Sequence, residues 1–275
     1  MGEVSSSDDT PMVDIHSHAL LGVDDGATSM EEALAMLKGA CDDRIGTAVV
    51  TPHFRPDDGL EQATLHEQRF SELRAAVDAA ALPIEIHLGA EIGFRFKMAE
   101  IVSLPACRIA SAGRYVLVDL PHGPLPTGIE QGFFELRLAG VKPILAHPER
   151  HRQLSGAPEW YDRLRDQELL FQVTAGSITG RFGSRAQDAS ELLLERGWVD
   201  VVASDAHDLE HRPFGLSAAR ERVEELRGED EGVRLFEVNP RCVVLGEEFE
   251  MQDYAPRPPE SISFLRRLVD VFTGS

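Results

Sequence analysis

Short apolar segments alternate with longer amphipathic segments over most of the chain. Each apolar segment is rich in Val, Ile or Leu and ends in polar residues, a pattern typical of buried parallel strands. The predicted strands cover residues 12–18, 47–53, 84–91, 114–120, 142–147, 170–175 and 199–207. A series of strands of this kind favours one barrel or near-barrel over two separate domains.

The segments between these strands carry the spacing and the end signals of α-helices. Ser29 and Glu32 match the two side chains of an N-terminal capping box, and Gly46 marks the end of the helix that follows. Further helices are predicted over residues 65–80, 128–139, 158–166, 185–195 and 215–227, with a short one between 91 and 114 and a final one over 261–272. Alternating strands and helices predict an α/β fold with parallel strands and right-handed crossovers.

The length of the chain fits one large α/β domain. The chain has 275 residues, and a (β/α) barrel commonly needs about 250. We expect a flexible tail over residues 1–11 and a single domain over residues 12–275. The first residues have neither the basic nor the apolar part of a secretory signal, and no apolar run approaches the roughly 20 residues of a membrane helix. These features predict a cytoplasmic protein without membrane insertion.

Acidic residues far outnumber basic ones. The chain has 47 Asp and Glu against 27 Lys and Arg, which gives a formal net charge of −20. Nucleic acid binding depends on Lys and Arg that displace counterions from the phosphates, so no nucleic acid partner is expected. A phosphate-bearing ligand would need a pocket made locally positive by metals or arginines.

Thiol chemistry is not expected. The three cysteines are Cys41, Cys107 and Cys242. They are widely spaced and form no CxxC pair, which argues against disulfides and thiolate metal sites. None is followed six positions later by the arginine that a cysteinyl-phosphate mechanism requires. The chain also has no GxSxG nucleophile motif and no Walker-type loop.

Ionisable residues collect at the carboxyl ends of the predicted strands. In a parallel barrel these ends open on one face, where barrel active sites lie. Strand by strand, the candidates are His16 and His18, His53, Glu91, Asp119, His147, and Asp205 with His207. Side chains two apart on a strand point the same way, so both members of a pair can reach metals held at the barrel mouth. Imidazole and carboxylate ligands together suit Zn, Mn or Fe, with Mg less favoured.

Each candidate alone also has an ordinary structural explanation. A single HxH is a weak signal, Glu91 fits a surface salt bridge and Asp119 fits a helix cap. The whole set is more informative, because burying so many polar groups without a compensating ion would be costly. His66 lies in a helical pattern and His87 points away from the ligand positions, so both are assigned structural roles.

Two arginines follow the last residues of this set. Arg150 comes three residues after His147, and Arg212 comes five residues after His207. A surface salt bridge explains each of them, and so does a bidentate contact with a phosphate group.

The motifs DIHSH, TPH, GAE, HPER and SDAH, in this order, resemble those of the polymerase-and-histidinol-phosphatase (PHP) superfamily. Within it, the longer phrases VDDGATSMEEAL, RYVLVDLP, AHPERH and QVTAGSITG resemble the bacterial manganese-dependent protein-tyrosine phosphatases of capsule and exopolysaccharide operons. The resemblance extends over residues 12–213. It implies a distorted (β/α)7 barrel that binds three divalent metals, with Mn²⁺ first and Fe, Zn or Mg as alternatives.

The resemblance also implies a role for each matching residue. His16, His18, Glu91 and Asp205 would hold the first metal; Glu91, Asp119 and His147 the second; Asp25, His53 and His207 the third. Asp24 is an alternative to Asp25, because the VDDG motif offers both. Arg150 and Arg212 would bind the phosphate. Asp119 departs from the family pattern, which has the longer Glu at that position.

The implied activity is hydrolysis of phosphotyrosine on a bacterial tyrosine kinase that controls polysaccharide export, by a protein that can form homo-oligomers. Three alternatives remain open. They are a histidinol-phosphate phosphatase, a nuclease-like PHP domain that the acidic charge disfavours, and a weakly active barrel that binds a kinase.

Overall fold

The computed structural model of the chain describes residues 10–110 and 113–252. The strands are β1 Met12–Ser17, β2 Ile45–Val50, β3 His53–Phe54, β4 Glu85–Leu88, β5 Glu91–Gly93, β6 Tyr115–Asp119, β7 Lys142–Ala146, β8 Leu170–Thr174 and β9 Val201–Ala203. The predicted tail and the predicted helix over 261–272 lie outside the described residues, apart from the last two tail positions.

The strands form two parallel sheets. One has the order β1-β2-β4 and the other the order β3-β5-β6-β7-β8-β9, and every strand pairing within them is parallel. The parallel α/β organisation expected from the sequence is therefore confirmed.

Two predicted strands are each broken into two short strands. Residues 47–53 divide into β2 and β3 around Thr51 and Pro52, and residues 84–91 divide into β4 and β5 around Gly89 and Ala90. Backbone hydrogen bonds cross both breaks, from Gly89 N to the oxygen of Val50 (2.9 Å) and from Glu91 N to the oxygen of Pro52 (3.1 Å). The two sheets are therefore joined along these strand pairs.

The end of the strand series returns to its beginning. Asp205 N donates to the backbone oxygen of His16 at 2.9 Å, and His18 N donates to that of Ala206 at 2.7 Å. A parallel bridge links Ser17 to Ala206. The residues that follow β9 thus lie beside the carboxyl end of β1.

Helices connect most of the strands. They are α1 Met30–Asp42, α2 Gly59–Ala79, α3 Ile129–Leu138, α4 Arg152–Gly156, α5 Glu159–Arg165, α6 Ala175–Ile178, α7 Ser184–Glu195, α8 Ser217–Arg227, α9 Glu229–Val233 and α10 Asn239–Leu245. The predicted helix over 65–80 begins earlier than expected, at Gly59. Between β5 and β6 the structure has only two short 3-10 turns among its described residues, at Ile101–Ser103 and Pro105–Cys107. None of the helices within the described ranges is long and apolar enough to cross a membrane.

Half of the predicted capping box forms. Ser29 Oγ accepts a hydrogen bond from Glu32 N at 3.2 Å. The prediction of the reciprocal bond, from Ser29 N to the Glu32 side chain, is wrong. Glu32 Oε2 instead accepts from the backbone N–H and the hydroxyl of Thr28, at 2.8 and 2.6 Å. The glutamate still caps the entry to α1, one residue earlier than the motif predicts.

A small apolar cluster fills the space between the strands. Its members include Val13 and Ile15 of β1, Leu117 of β6 and Ile144 of β7, all fully or almost fully buried. At the amino ends of the strands, Tyr115 donates its hydroxyl proton to the backbone oxygen of Glu247 at 2.6 Å. Apolar side chains dominate this end of the strands.

Candidate metal centre

The predicted ligands come together at the carboxyl ends of the strands. His16 lies in β1, His53 begins β3, Glu91 begins β5 and Asp119 ends β6. The remaining candidates, His18, Asp25, His147, Asp205 and His207, lie in the loops that follow these and the later strands. The face predicted from parallel strands is thus the face on which the structure places the polar cluster.

Four side chains form the first group of the cluster. The Nε2 atoms of His16 and His18 lie 3.3 Å apart. Asp205 Oδ1 lies 3.4 and 3.5 Å from these two atoms, and Glu91 Oε2 lies 3.6 and 3.4 Å from them. All four side chains are almost completely buried. Donor atoms at such spacing can surround one ion whose bonds are about 2.0–2.2 Å long.

Glu91 also belongs to a second group. Its Oε1 atom lies 2.8 Å from His147 Nε2, and Asp119 Oδ1 lies 3.8 Å from His147 Nδ1. One ligand atom from each of the three residues lies within 4.8 Å of the other two. Asp119 is the more open side of this group, since 24% of its side chain is exposed.

A third group lies on the other side of His18. Asp25 Oδ1 is 3.2 Å from His53 Nε2 and 3.7 Å from His207 Nε2. The His18 ring is 3.8 Å from the ring of His207, centre to centre, and ligand atoms of all four residues lie within 4.8 Å of one another. This group is the most exposed, because 65% of the Asp25 side chain is accessible.

Asp24 orients its neighbours. Its Oδ2 atom accepts from His18 Nδ1 at 2.7 Å and from His53 N at 2.9 Å, while Oδ1 accepts from Gly26 N at 3.0 Å. Gly26 is required here, since a Cβ at this position would lie 1.9 Å from the backbone oxygen of His18. With both Asp24 oxygens used in this way, the geometry favours Asp25 over Asp24 for the third group.

Gln172 is a site residue that sequence reasoning missed. Its Oε1 atom lies 2.8 Å from His16 Nδ1, on the ring edge opposite the cluster. Such outer contacts fix the ring orientation of metal-binding histidines and decide which ring nitrogen faces the metal. The available signal was a polar residue in the middle of the mostly apolar strand β8, where Gln172 is fully buried.

Two of the loop residues adopt a left-handed backbone conformation. His147 has φ 34° and Asp205 has φ 56°. The predicted strands 142–147 and 199–207 are therefore too long, because β7 ends at Ala146 and β9 at Ala203. Non-glycine residues in this region cost of order 1–3 kcal/mol each and tend to occur at functional sites.

Charges within the cluster stabilise one another. Burial opposes the charged form of His18, but contacts with Asp205, Asp24 and Glu91 outweigh it and raise its pKa well above the usual range. Burial likewise opposes the charged form of His147, whereas Glu91 raises its pKa to about 9. Burial raises the pKa of Glu91, yet the neighbouring histidines lower it well below its usual range. Cations next to ionised carboxylates are thus strongly favoured here.

The donor set fits divalent metal ions. Glu91 Oε2 lies within 3.6 Å of ring nitrogens of His16, His18 and His53, yet it has no hydrogen bond of good geometry among the described residues. Neutral imidazoles and carboxylates are the ligands of Zn, Mn and Fe sites. Binding of such ions would displace the protons that the histidines now share with the carboxylates.

Both predicted arginines lie at the cluster. Arg150 Nη1 and Arg212 Nη2 each donate to Asp205 Oδ2 at 2.5 Å. Their partner is 1% exposed, so these are not surface ion pairs. Two guanidinium groups thus converge on one carboxylate oxygen of the site.

Phe182 supports this pair of arginines. Its ring centre lies 4.4 Å from the Arg150 guanidinium carbon and 5.9 Å from that of Arg212. Gly176 leaves room for the ring, since a Cβ there would lie 2.7 Å from a ring carbon of Phe182. No pattern in the sequence indicates this contact.

The histidines assigned structural roles lie outside the three groups. His66 is fully buried in α2 with its ring edge-on to Phe54, and burial lowers its pKa to about 4. His87 Nε2 lies 3.1 Å from Glu85 Oε1.

The parallel sheets define an α/β protein. The imidazoles and carboxylates crowded at the strand ends form a candidate multi-metal centre. The model of the family described as capsular polysaccharide synthesis, CpsB/CapC, matches residues 12–245. This chain belongs to the CpsB/CapC family.

Three known proteins illustrate the likeness. CapC of Staphylococcus aureus is 32% identical over 208 residues, which are 74% of this chain and 80% of CapC. A solved structure from work on Bacillus subtilis YwqE and Streptococcus pneumoniae CpsB, described as unique metal-dependent tyrosine phosphatases, has 27% identity and a TM-score of 0.80. The match covers 90% of this chain and 100% of the chain in the solved structure. The phosphotriesterase homology protein of Escherichia coli shares the fold alone, with 12% identity, a TM-score of 0.54 and coverage of 86% of this chain and 99% of that one.

Proposed function

We propose that this protein is a metal-dependent phosphatase that hydrolyses phosphotyrosine in proteins. The observation that carries the proposal is the convergence of Arg150 and Arg212 on Asp205, within a buried cluster of imidazoles and carboxylates. The description of YwqE and CpsB as metal-dependent tyrosine phosphatases supports the same activity.

The proposed architecture is a distorted (β/α)7 barrel. If β2 with β3 and β4 with β5 each count as one broken strand, the strands run in sequence order from β1 to β9. The backbone bonds from the Asp205 and His18 amides then close the ring between its last and first members. The site would lie at the carboxyl face, as in other barrel enzymes.

We assign three divalent metals, Mn²⁺ before Fe, Zn or Mg, to the three groups described above. His16, His18, Glu91 and Asp205 would hold the first, with Glu91 shared with Asp119 and His147 for the second. Asp25, His53 and His207 would hold the third. Bound metals of this kind lower the pKa of a coordinated water towards about 7 and neutralise phosphate charge.

The chain's own residues would bind and orient the phosphate ester. Arg150 and Arg212 would donate to phosphate oxygens and stabilise the negative charge that grows during the reaction. Asp24 and Gln172 hold the rings of His18 and His16 in place. A tyrosine leaving group needs little protonation, because its conjugate acid has a pKa of about 10.

The partner that this proposal implies is a phosphotyrosine protein of capsular polysaccharide synthesis. A bacterial tyrosine kinase that controls polysaccharide export is the specific proposal. Cytoplasmic location and assembly into homo-oligomers remain predictions.

Removal of metal is expected to abolish the activity. Treatment with a chelator, or the double change His16→Ala with His18→Ala, should eliminate hydrolysis of p-nitrophenyl phosphate, because both imidazoles of the first group are lost. Circular dichroism should show that the fold survives, and His87→Ala is the matched control outside the cluster. Activity in a preparation shown by elemental analysis to be metal-free would refute the mechanism.

The substrate is tested in the same preparation. Turnover of a phosphotyrosine peptide across a series of Mn²⁺, Fe²⁺, Zn²⁺ and Mg²⁺ should exceed turnover of histidinol phosphate. The reverse order would favour a histidinol-phosphate phosphatase. Tight binding of a tyrosine kinase by a protein without metal and without turnover would favour a regulatory barrel.

Loss of the Phe182 ring is expected to weaken phosphate binding. Phe182→Ala should raise KM for p-nitrophenyl phosphate roughly tenfold, with a smaller change in kcat, because an aromatic face under a partly buried guanidinium contributes about 1–2 kcal/mol. Phe182→Tyr should restore the wild-type KM. The matched control is Phe134→Ala, an exposed ring under Arg137, and it should leave KM unchanged. An unchanged KM in Phe182→Ala would contradict the supporting role.

A further inference from the structure

A cavity of about 440 Å³ adjoins the cluster. It is lined by His122, Gly123, Pro124, Arg150, His151, Arg152 and Gln153. Arg150 is common to the cavity and the cluster, since it lines the cavity and also donates to Asp205 Oδ2. A group held in the cavity would therefore lie next to a phosphate held by the two arginines.

The lining of the cavity is unusual for this protein. The chain carries a formal net charge of −20, yet the cavity is lined by two arginines and two histidines and, among the described residues, by no Asp or Glu. Anions are repelled by most of an acidic surface, so a pocket of this composition concentrates them locally.

One cationic group of the cavity is available to a ligand. Within residues 10–110 and 113–252 the Arg152 guanidinium has no ion-pair partner, and the His122 ring interacts electrostatically with Asp119. The other walls are held in place, because Gln153 Oε1 accepts from Leu125 N at 2.8 Å and His151 Nε2 lies 3.3 Å from the oxygen of Pro121. The cavity thus has a fixed frame with the unpaired Arg152 guanidinium at its edge.

We propose that this cavity binds a second anionic group of the substrate, close to the phosphotyrosine that is hydrolysed. The group is a carboxylate of Asp or Glu or a second phosphate, both of which Arg binds in the same bidentate way. The inference rests on the proposed phosphatase function and adds a preference for acidic or multiply phosphorylated segments. The volume lies within the range of small-ligand pockets, about 300–1,000 Å³, and easily holds such a group.

Matched phosphotyrosine peptides test this preference. The set has one phosphotyrosine flanked by alanine, by glutamate or by phosphoserine, with the flanking residue placed on either side. The wild-type protein is expected to process the glutamate and phosphoserine peptides with kcat/KM roughly tenfold higher than the alanine peptide, mostly through KM. Comparing the two favoured peptides shows whether a carboxylate or a phosphate is the better ligand.

The variants Arg152→Gln and His122→Gln should remove this preference without changing turnover of p-nitrophenyl phosphate, which has no flanking group. Arg227→Gln, an exposed arginine at the end of α8, is the matched control and should keep the preference. Added salt should reduce the preference in the wild type, since the contacts are partly exposed.

The outcomes separate the two hypotheses. Any of three results would overturn the cavity assignment alone. They are peptide turnover without an anion preference, a preference that survives in both variants, and an equal loss of p-nitrophenyl phosphate turnover in the variants. No turnover of any phosphotyrosine peptide by the metal-loaded protein would overturn the proposed function, and this inference with it.

Discussion

Glu91→Gln is expected to lower the turnover of p-nitrophenyl phosphate roughly a thousandfold or more, a loss of about 4 kcal/mol of transition-state stabilisation. Glu91 contributes to two of the ligand groups through separate oxygens. Oε1 faces His147, and Oε2 faces three other imidazoles. An amide has a single acceptor oxygen and no negative charge, so one group would lose its oxygen ligand and the other would keep only an uncharged one.

The metal content distinguishes this effect from a simple loss of folding. Elemental analysis of purified Glu91→Gln should show less bound metal than the wild type, while circular dichroism remains unchanged. Glu85→Gln is the matched control, because Glu85 lies on the preceding strand segment β4, is 69% exposed and lies outside the cluster. Glu85→Gln should retain full activity. Wild-type turnover by Glu91→Gln would contradict the assignment of Glu91 to the metals.

The alternation of side chains along a strand predicted part of this cluster correctly. His16 and His18 are two residues apart, and their Nε2 atoms converge at 3.3 Å. Asp205 and His207 also belong to the cluster, but for another reason. They lie beyond β9, and the left-handed backbone at Asp205 directs its carboxylate to His16 and His18. The alternation rule placed these two residues at the cluster on the basis of a strand that in fact ends at Ala203.

Other contacts have no local signature. Gln172 and His16 are 156 positions apart in the sequence, and Phe182 contacts two arginines from different loops. Such contacts arise from how the strands are ordered and how far each loop reaches, which local periodicity does not specify. The different contacts of Asp24 and Asp25 also have no local signature. The two carboxylates are adjacent in VDDG, and only their surroundings in the fold distinguish them.

The breaks within two predicted strands also escaped prediction. Residues 47–53 and 84–91 are largely apolar, as a continuous buried strand would be. Pro52 lacks a backbone N–H. Gly89 fits tightly among its neighbours, since a Cβ at this position would lie 3.2 Å from side-chain atoms of Val49, Thr51 and Ile109. Both positions interrupt the regular strand where it passes from one sheet to the other.

The second large effect is expected at the opposite end of the strands, where Asp200 precedes β9. Asp200 is 1% exposed and pairs with Arg165, which is 7% exposed. Its Oδ2 atom also accepts from Phe171 N at 2.7 Å, and its backbone oxygen accepts from Asn239 Nδ2 at 2.8 Å. Burial raises the pKa of Asp200, opposed chiefly by Arg165. These contacts therefore join α5, β8, β9 and α10 at the amino ends of the strands.

Asp200→Ala is expected to lower the free energy of unfolding by about 3–5 kcal/mol, because it leaves a buried guanidinium without its counter-charge. For a domain of this size the midpoint of thermal unfolding should fall by roughly 10 °C. Turnover per folded molecule at low temperature should stay at the wild-type level, since the contacts lie at the end of the strands opposite the cluster.

Calorimetry and urea unfolding measure the change, with two comparison variants. Asp162→Ala removes a half-exposed partner of Arg196, 3.4 Å away, and should cost less than about 1 kcal/mol. The double variant Arg165→Met with Asp200→Ala should recover part of the loss, because no unpaired charge remains buried. If the double variant is less stable than Asp200→Ala alone, the cost arises from lost packing and backbone contacts. The buried charge would then not be what makes this ion pair important for stability.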